Sequence, residues 1–403
     1  MATMWSPATD HRSIIHMDLD SFFVSVERLQ NDYFVGKPLL IGGGSDRGVV
    51  ASCSYEARAF GVHSAMPMRL AKQLCPEAIV VRGDMERYSQ YSQMVTEIVH
   101  ESVPSYEKSS IDEFYVDLTG MEKFFGCMKL ATELKARIRK ETGLPISFGL
   151  SENKTVSKVA TNESKPDGQR QVAYGTEKGF LSPLTVDKIP MVGEKTAYTL
   201  RKMGVQKIHT LQQVPVEMLA AVFGKMGIVI SEKANGIDRT PIVHYSERKS
   251  ISTENTFEHD TIDVKKLESI LVAMTEQLAF KLRKEQQLTS CVTVKIRYSD
   301  FDTHTLQRKM PYTSADHVLI PMVKELFKKA YSRRMLIRLI GVRFSSLVHG
   351  NYQINLFEDT EEGIKLYQAM DKLRQKHGDK AVVRAVGMGV SRRSFNPFNG
   401  VAA

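Results

Sequence analysis

Four cysteines in 403 residues leave little scope for covalent or metal cross-links. Cys53, Cys75, Cys127 and Cys291 form no CxxC pair, so neither a zinc framework nor a disulfide scaffold is indicated. Four reduced thiols in a cytoplasmic protein are the expectation. There is no apolar run of about eighteen residues or more, so no membrane-spanning helix is expected. The segment from Met1 to Arg12 is polar, contains Pro7 and lacks the apolar stretch of a secretory signal. Internal repeats and low-complexity tracts are missing as well. Gly42-Gly43-Gly44 is followed by no Gly-Lys-Ser/Thr, and Gly193-Glu194-Lys195-Thr196 fails the same pattern, which excludes a phosphate-binding P-loop.

What is present points to a large folded chain. Hydrophobic residues make up 42% and charged residues 25%. That supplies a core for roughly two to four domains. The net charge of +9 suits a polyanionic partner such as nucleic acid.

Apolar runs and helical periodicity alternate as far as about Tyr174. Ile14 to Leu19 reads as a buried strand ending on acids, and Ser21 to Gln30 as a helix with Phe22, Val26 and Leu29 on one face. Further strands are expected at Pro38–Ile41, Val49–Cys53, Phe114–Leu118 and Ile146–Leu150. Helices are expected at Tyr55–Phe60, through Tyr88, Tyr91, Val95 and Ile98, and through Leu130, Leu134 and Ile138 up to Gly143. From Lys178 to Arg239 short helical segments are separated by glycines. Thr240 to Lys249 reads as a linker. Strands return beyond it. Val292 to Arg297 alternates apolar and polar residues, with Lys295 and Arg297 on the polar side. Such a face is either solvated or a surface for a duplex backbone.

Two acidic clusters carry the chemistry. Asp18-Leu19-Asp20 ends the first strand and Ile111-Asp112-Glu113 precedes another. Carboxylates converging beside a core repel one another unless a cation lies between them. Oxygen donors without nearby His or Cys suit a hard ion such as Mg²⁺. Two such ions about 3.5–4 Å apart would serve phosphoryl transfer. Acids at strand ends also serve as plain turn residues. On a regular strand Asp112 and Glu113 would face opposite ways, so a shared site needs a bend between them.

The sequence His16-Met17-Asp18-Leu19-Asp20-Ser21-Phe22-Phe23, together with Ser109-Ser110-Ile111-Asp112-Glu113, resembles the two catalytic motifs of the Y-family DNA polymerases of the DinB type. The likeness continues in Ala51 to Arg58, Phe60-Gly61-Val62, Ser151-Glu152-Asn153-Lys154, Lys158-Val159-Ala160 and Ser164 to Gly168, and covers about residues 13 to 350. It implies an α/β multidomain right hand. Residues 1–32 and 85–174 would form a ferredoxin-like palm, and 33–84 small fingers. Residues 175–239 would form a helical thumb with a helix-hairpin-helix at Val192-Gly193. A linker, 240–249, would lead to an α/β little-finger domain, 250–350, and a tail, 351–403. By likeness Asp18, Asp112, Glu113 and the carbonyl of Leu19 hold two Mg²⁺ ions. Ser52, Tyr55, Arg58, Lys165 and the amides of Phe22 and Phe23 meet the incoming triphosphate. Phe23 would exclude a 2′-hydroxyl, although both phenylalanines also fit a core. Gly42–Gly44 and Ala65-Met66-Pro67-Met68 would lie over the nascent base pair.

The resemblance further implies primed DNA and deoxynucleoside triphosphates as partners, gripped at Val192, Gly193, Lys295 and Arg297 without sequence readout. The chain is expected to act as a monomer. Gln353-Ile354-Asn355-Leu356-Phe357 resembles a sliding-clamp peptide through Gln353, Leu356 and Phe357; packing of Leu356 and Phe357 on the preceding domain is the alternative. Two rival functions are open: a catalytically inactive DNA-binding scaffold of the same fold, and a nucleotidyl cyclase, which shares a two-metal palm-like core. The first needs no metal ligands, and the second needs neither the hairpin nor the basic C-terminal domain.

Overall fold

The computed structural model describes residues 11–43, 45, 47–121, 126–244, 247–350, 360–378 and 381–387. It divides into two compact units, Met1–Ser246 and Glu247–Ala402, so the division falls inside the stretch read as a linker.

The first unit is built around a five-stranded sheet in the order β5-β6-β1-β7-β8: Tyr106–Lys108, Glu113–Asp117, Ile14–Leu19, Ile146–Ser151 and Gln169–Gln171. β1 runs antiparallel to both neighbours, and β8 joins β7 in parallel. Alternation along β1 sorts the side chains by face. Ile15, Met17 and Leu19 enter a core with α1 (Phe22–Gln30), α4 (Met85–Ser102) and α5 (Cys127–Thr142). The opposite face, with His16 and Asp18, is covered by α6 (Lys154–Ser164). Gly143, with φ 73°, terminates α5 as expected. Leu29 departs from expectation. It is 42% exposed, because the buried face of α1 is formed by Phe22, Phe23, Val24, Val26 and Glu27.

A three-stranded sheet, β3-β2-β4, is formed by Val50–Cys53, Leu39–Gly42 and Ile79–Val81. With α2 (Tyr55–Arg58) and α3 (Met68–Leu74) it has its own small core. Met66 and Met68 belong to that core, so their side chains fill it rather than line a surface. Five short helices follow: α7 (Glu177–Leu181), α8 (Glu194–Lys202), α9 (Ile208–Leu211), α10 (Val216–Phe223) and α11 (Lys225–Ala234). The expected helix-hairpin-helix is reduced at its first arm to a single 3-10 turn, Val186–Lys188, ahead of α8. Pro190 follows closely and, lacking an N–H, stops that arm.

The second unit carries a four-stranded antiparallel sheet, β11-β10-β12-β9: Thr303–Thr313, Gln287–Tyr298, Ile337–His349 and Ser250–Thr261. The helices α12 (Val264–Lys284) and α13 (Asp316–Ala330) cover one face. α14 (Thr360–His377) docks through buried ions, with Arg283 bound to Asp316 at 2.7 Å and to Asp371 at 2.6 Å. The clamp-like segment Gln353–Phe357 lies outside the described residues. All four cysteines are buried. Among the described residues no helix is long and apolar enough to cross a membrane.

The seat of α6 depends on Gly149. A β-carbon there would lie 2.3 Å from the Ser157 carbonyl oxygen and 2.6 Å from the Thr161 amide nitrogen. Backbone cannot yield as a flexible side chain does, so Gly149→Ala should cost about 3 kcal/mol or more. Thermal denaturation checks this; an unchanged melting temperature would mean that α6 is not pressed against β7.

Candidate active site

β1 ends and β6 begins side by side. The register pairs Asp18 with Glu113 on one flank and with Ser147 on the other, placing all three in one row on the α6 face. Asp112 stands just before β6, and its carbonyl accepts the Leu19 N–H at 3.0 Å. Ser110 bends the approach. Its Oγ accepts the N–H groups of Asp112 and Glu113 at 3.2 and 3.0 Å and donates to Asp112 Oδ1 at 2.5 Å. This turn removes the conflict of alternating faces, because Asp112 lies off the regular strand.

Two lysines reach the carboxylates. Lys165 Nζ is 2.5 Å from Asp18 Oδ1. Lys158, on α6, donates to both oxygens of Glu113 at 2.8 and 2.6 Å. Burial pushes the Asp18 carboxyl up to about 7; Lys165 works against the rise, while Asp112 and Glu113 add to it. Asp112 is also raised by burial, although Ser110 opposes the shift. Burial would raise Glu113 too, but the neighbouring His16 and the Lys158 ammonium hold it below the usual range. His16 itself is driven down to about 4 by burial, hence neutral at pH 7. Its Nδ1 lies 3.0 Å from Thr161 Oγ1, and its Nε2 stays 3.8 Å from Glu113, too far for a hydrogen bond. Lys158 is therefore the charge that keeps Glu113 ionised.

Asp20 has a different task. It is buried and accepts from Ser147 Oγ at 2.8 Å, the Asp167 N–H at 2.8 Å and Tyr55 Oη at 3.2 Å. One carboxylate thus ties β7, the turn after Lys165 and the head of α2 to the end of β1. Tyr55 brings Arg58 with it, whose guanidinium carbon is 4.7 Å from the Tyr55 ring centre. Ser52 is buried on β3. Ser21, with φ 44°, turns the chain into α1. Phe22 is in the core. Phe23 is 6% exposed and stacks on Tyr88 with centroids 4.3 Å apart. The Tyr88 hydroxyl donates to Glu27 at 2.6 Å.

Asp18, Asp112, Glu113, Tyr55, Arg58 and Lys165 therefore cluster around one sheet end. Val192 is buried and Gly193 caps α8. Lys295 and Arg297, in the second unit, form a separate surface. Sequence reasoning assigned no role to His16, Ser110, Lys158 or Asp20. Strand alternation alone places His16 on the face of Asp18; the partners of Asp20 come from three chain segments and leave no local signal.

The comparisons agree over nearly the whole chain. Residues 17–162 match the profile of the impB/mucB/samB family, and 248–356 that of its C-terminal domain. Identity is 37% over 381 residues to a DNA polymerase IV of Dehalococcoides mccartyi, covering 92% of this chain and 96% of that protein. It is 36% to a DNA polymerase IV of Treponema denticola, covering 90% and 93%. The chain belongs to the Y-family DNA polymerases. Among solved structures, a Y-family DNA polymerase chimera superposes with a TM-score of 0.76 at 27% identity, covering 84% of this chain and all of that one. DinB from Sulfolobus solfataricus gives 0.58 at 26%, with the same coverage. The family's own profile matches within the first unit of this Y-family polymerase and that of its C-terminal domain within the second.

The donor set fits a hard divalent cation: three desolvated, mutually repelling carboxylates and only oxygen atoms. Among the described residues no three His, Cys, Asp or Glu side chains gather closely enough to cage an ion. Instead the Lys165 and Lys158 ammonium groups stand as cations against Asp18 and Glu113.

Asp20→Ala would strand three donors in a buried place, at about 1–3 kcal/mol for each group left unpaired. The expected result is a lower melting temperature and a raised KM for the nucleotide, since Tyr55 and the Lys165 turn lose their tie. An unchanged KM in a destabilised protein would confine Asp20 to folding.

Proposed function

We propose that this polymerase extends primed DNA, past damaged template bases and without proofreading, by metal-dependent nucleotidyl transfer at Asp18, Asp112 and Glu113. The observation that carries the reading is the single row of Asp18 and Glu113, with Asp112 beside it, each reached or faced by a lysine. Asp18, Asp112, Glu113 and the Leu19 carbonyl would hold two Mg²⁺ ions. Divalent ions there lower the pKa of an attacking hydroxyl and offset charge on the leaving pyrophosphate.

The protein's own groups do the rest. Lys165, Tyr55 and Arg58 meet the triphosphate, and Lys165 exchanges Asp18 for phosphate as the nucleotide enters. Lys158 keeps Glu113 ionised. Phe23, braced by Tyr88, presents its ring edge to the sugar. The thumb at Val192-Gly193 and the little-finger sheet at Lys295 and Arg297 hold the duplex by its phosphates. Gln353, Leu356 and Phe357 are the proposed sliding-clamp contact, and the polymerase acts as a cytoplasmic monomer. An inactive scaffold would have no use for this carboxylate row, and a cyclase none for the basic sheet.

Asp112→Ala should lower primer extension by about a thousandfold or more while duplex affinity changes little. Near-normal extension would remove the site assignment. Phe23→Val should raise ribonucleotide use, read as the ratio of kcat/KM for the two sugars. If that ratio stays constant while stability falls, Phe23 is a core residue only.

A further inference from the structure

The open face of the little-finger sheet is laid out in rows. Register gives Gln307-Thr293-Arg343-Ser252, then Thr305-Lys295-Gly341-Glu254, then Thr303-Arg297-Leu339-Thr256. These rows hold three cations, many hydroxyls and a single acid, Glu254. Lys295 and Glu254 lie on strands that are not neighbours, with β12 between them, yet Lys295 Nζ is 2.9 and 3.1 Å from the two Glu254 oxygens. They meet because Gly341 has no side chain in their path. A β-carbon there would lie 2.7 Å from Glu254 Cγ and 3.2 Å from the Thr253 carbonyl oxygen. Arg297 is held differently, by the neutral Thr303 hydroxyl at 2.8 Å.

From this arrangement we infer that Glu254 is a built-in competitor for the DNA backbone: it holds Lys295 across Gly341 and thereby weakens the grip of the sheet on duplex DNA. The inference rests on the reading of this sheet as the duplex surface. Arg297 and Arg343 meet phosphate without breaking an ion pair on this face. Lys295 can do so only by leaving Glu254, whose charge then repels the same phosphate. The pair is solvent-exposed and worth little to folding, so its removal should leave the fold intact. A weakened grip would shorten each stay on the template.

The experiment measures affinity of the full-length protein for a primed duplex against salt, by fluorescence anisotropy. Glu254→Gln should bind about fivefold more tightly at low salt. The slope of log affinity on log salt should steepen by about 0.9, one further phosphate contact. Gly341→Ala pushes Glu254 aside without changing any charge and should act in the same direction. In a Lys295→Met background the Glu254→Gln gain should largely vanish. An equal gain in that background would make Glu254 a general surface charge and overturn the inference, as would Glu254→Gln binding like the parent. Arg297→Ala keeps the two ideas apart. If it weakens binding while Glu254→Gln does nothing, the sheet reading stands and the competitor falls. If Arg297→Ala has no effect, the sheet is not the duplex surface, and both fall.

Discussion

Everything at the active end of the palm depends on how three carboxylates are kept in a place poor in water. Asp18 and Glu113 are fixed next to each other by backbone register, and Asp112 is added by the Ser110 turn. Left alone, such a group would protonate or push apart. Lys158 holds Glu113 ionised and Lys165 opposes the rise at Asp18, from a helix seated by Gly149 and from a turn tied down by Asp20. The sheet, α6 and the Asp20 tie are thus preparations for one electrostatic problem, and the proposed metal ions are its solution during catalysis. The two lysines differ in kind. Lys158 is bidentate on Glu113 from α6, whereas Lys165 makes its contact with Asp18 from the turn that Asp20 ties down.

Much of this was legible in the sequence. Strand and helix positions through Leu150 followed from periodicity, because the apolar runs are long and end at clear stops such as Gly143. Alternation in Val292–Arg297 correctly sorted the little-finger strand into a buried side and a cationic side. The acids Asp18, Asp112 and Glu113 stood out because charge beside apolar strand residues is costly without a purpose, and the structure brings them to one sheet end.

The misses have physical causes. Leu29 follows the helical spacing but lies where α1 runs off the core, and no local pattern marks that edge. The first arm of the expected hairpin is a 3-10 turn, ended by Pro190, rather than a helix. Lys295 was placed on the polar side of its strand with no partner named; its pairing with Glu254 depends on strand order and on a glycine between them, neither of which adjacency in sequence reveals. Likewise, the partners of Asp20 converge from distant segments. Local chemistry is written in the sequence, while long-range pairing is settled only by topology.

The central claim is that the row of carboxylates is built to take up divalent cations. Calorimetric titration of Mn²⁺ into the protein, at constant ionic strength and without DNA, tests it without relying on activity. The account predicts heat from saturable uptake in the parent and its loss in Asp18→Asn/Asp112→Asn, with the melting temperature of the variant retained. Equal uptake by parent and variant, or none by the folded parent, would contradict it.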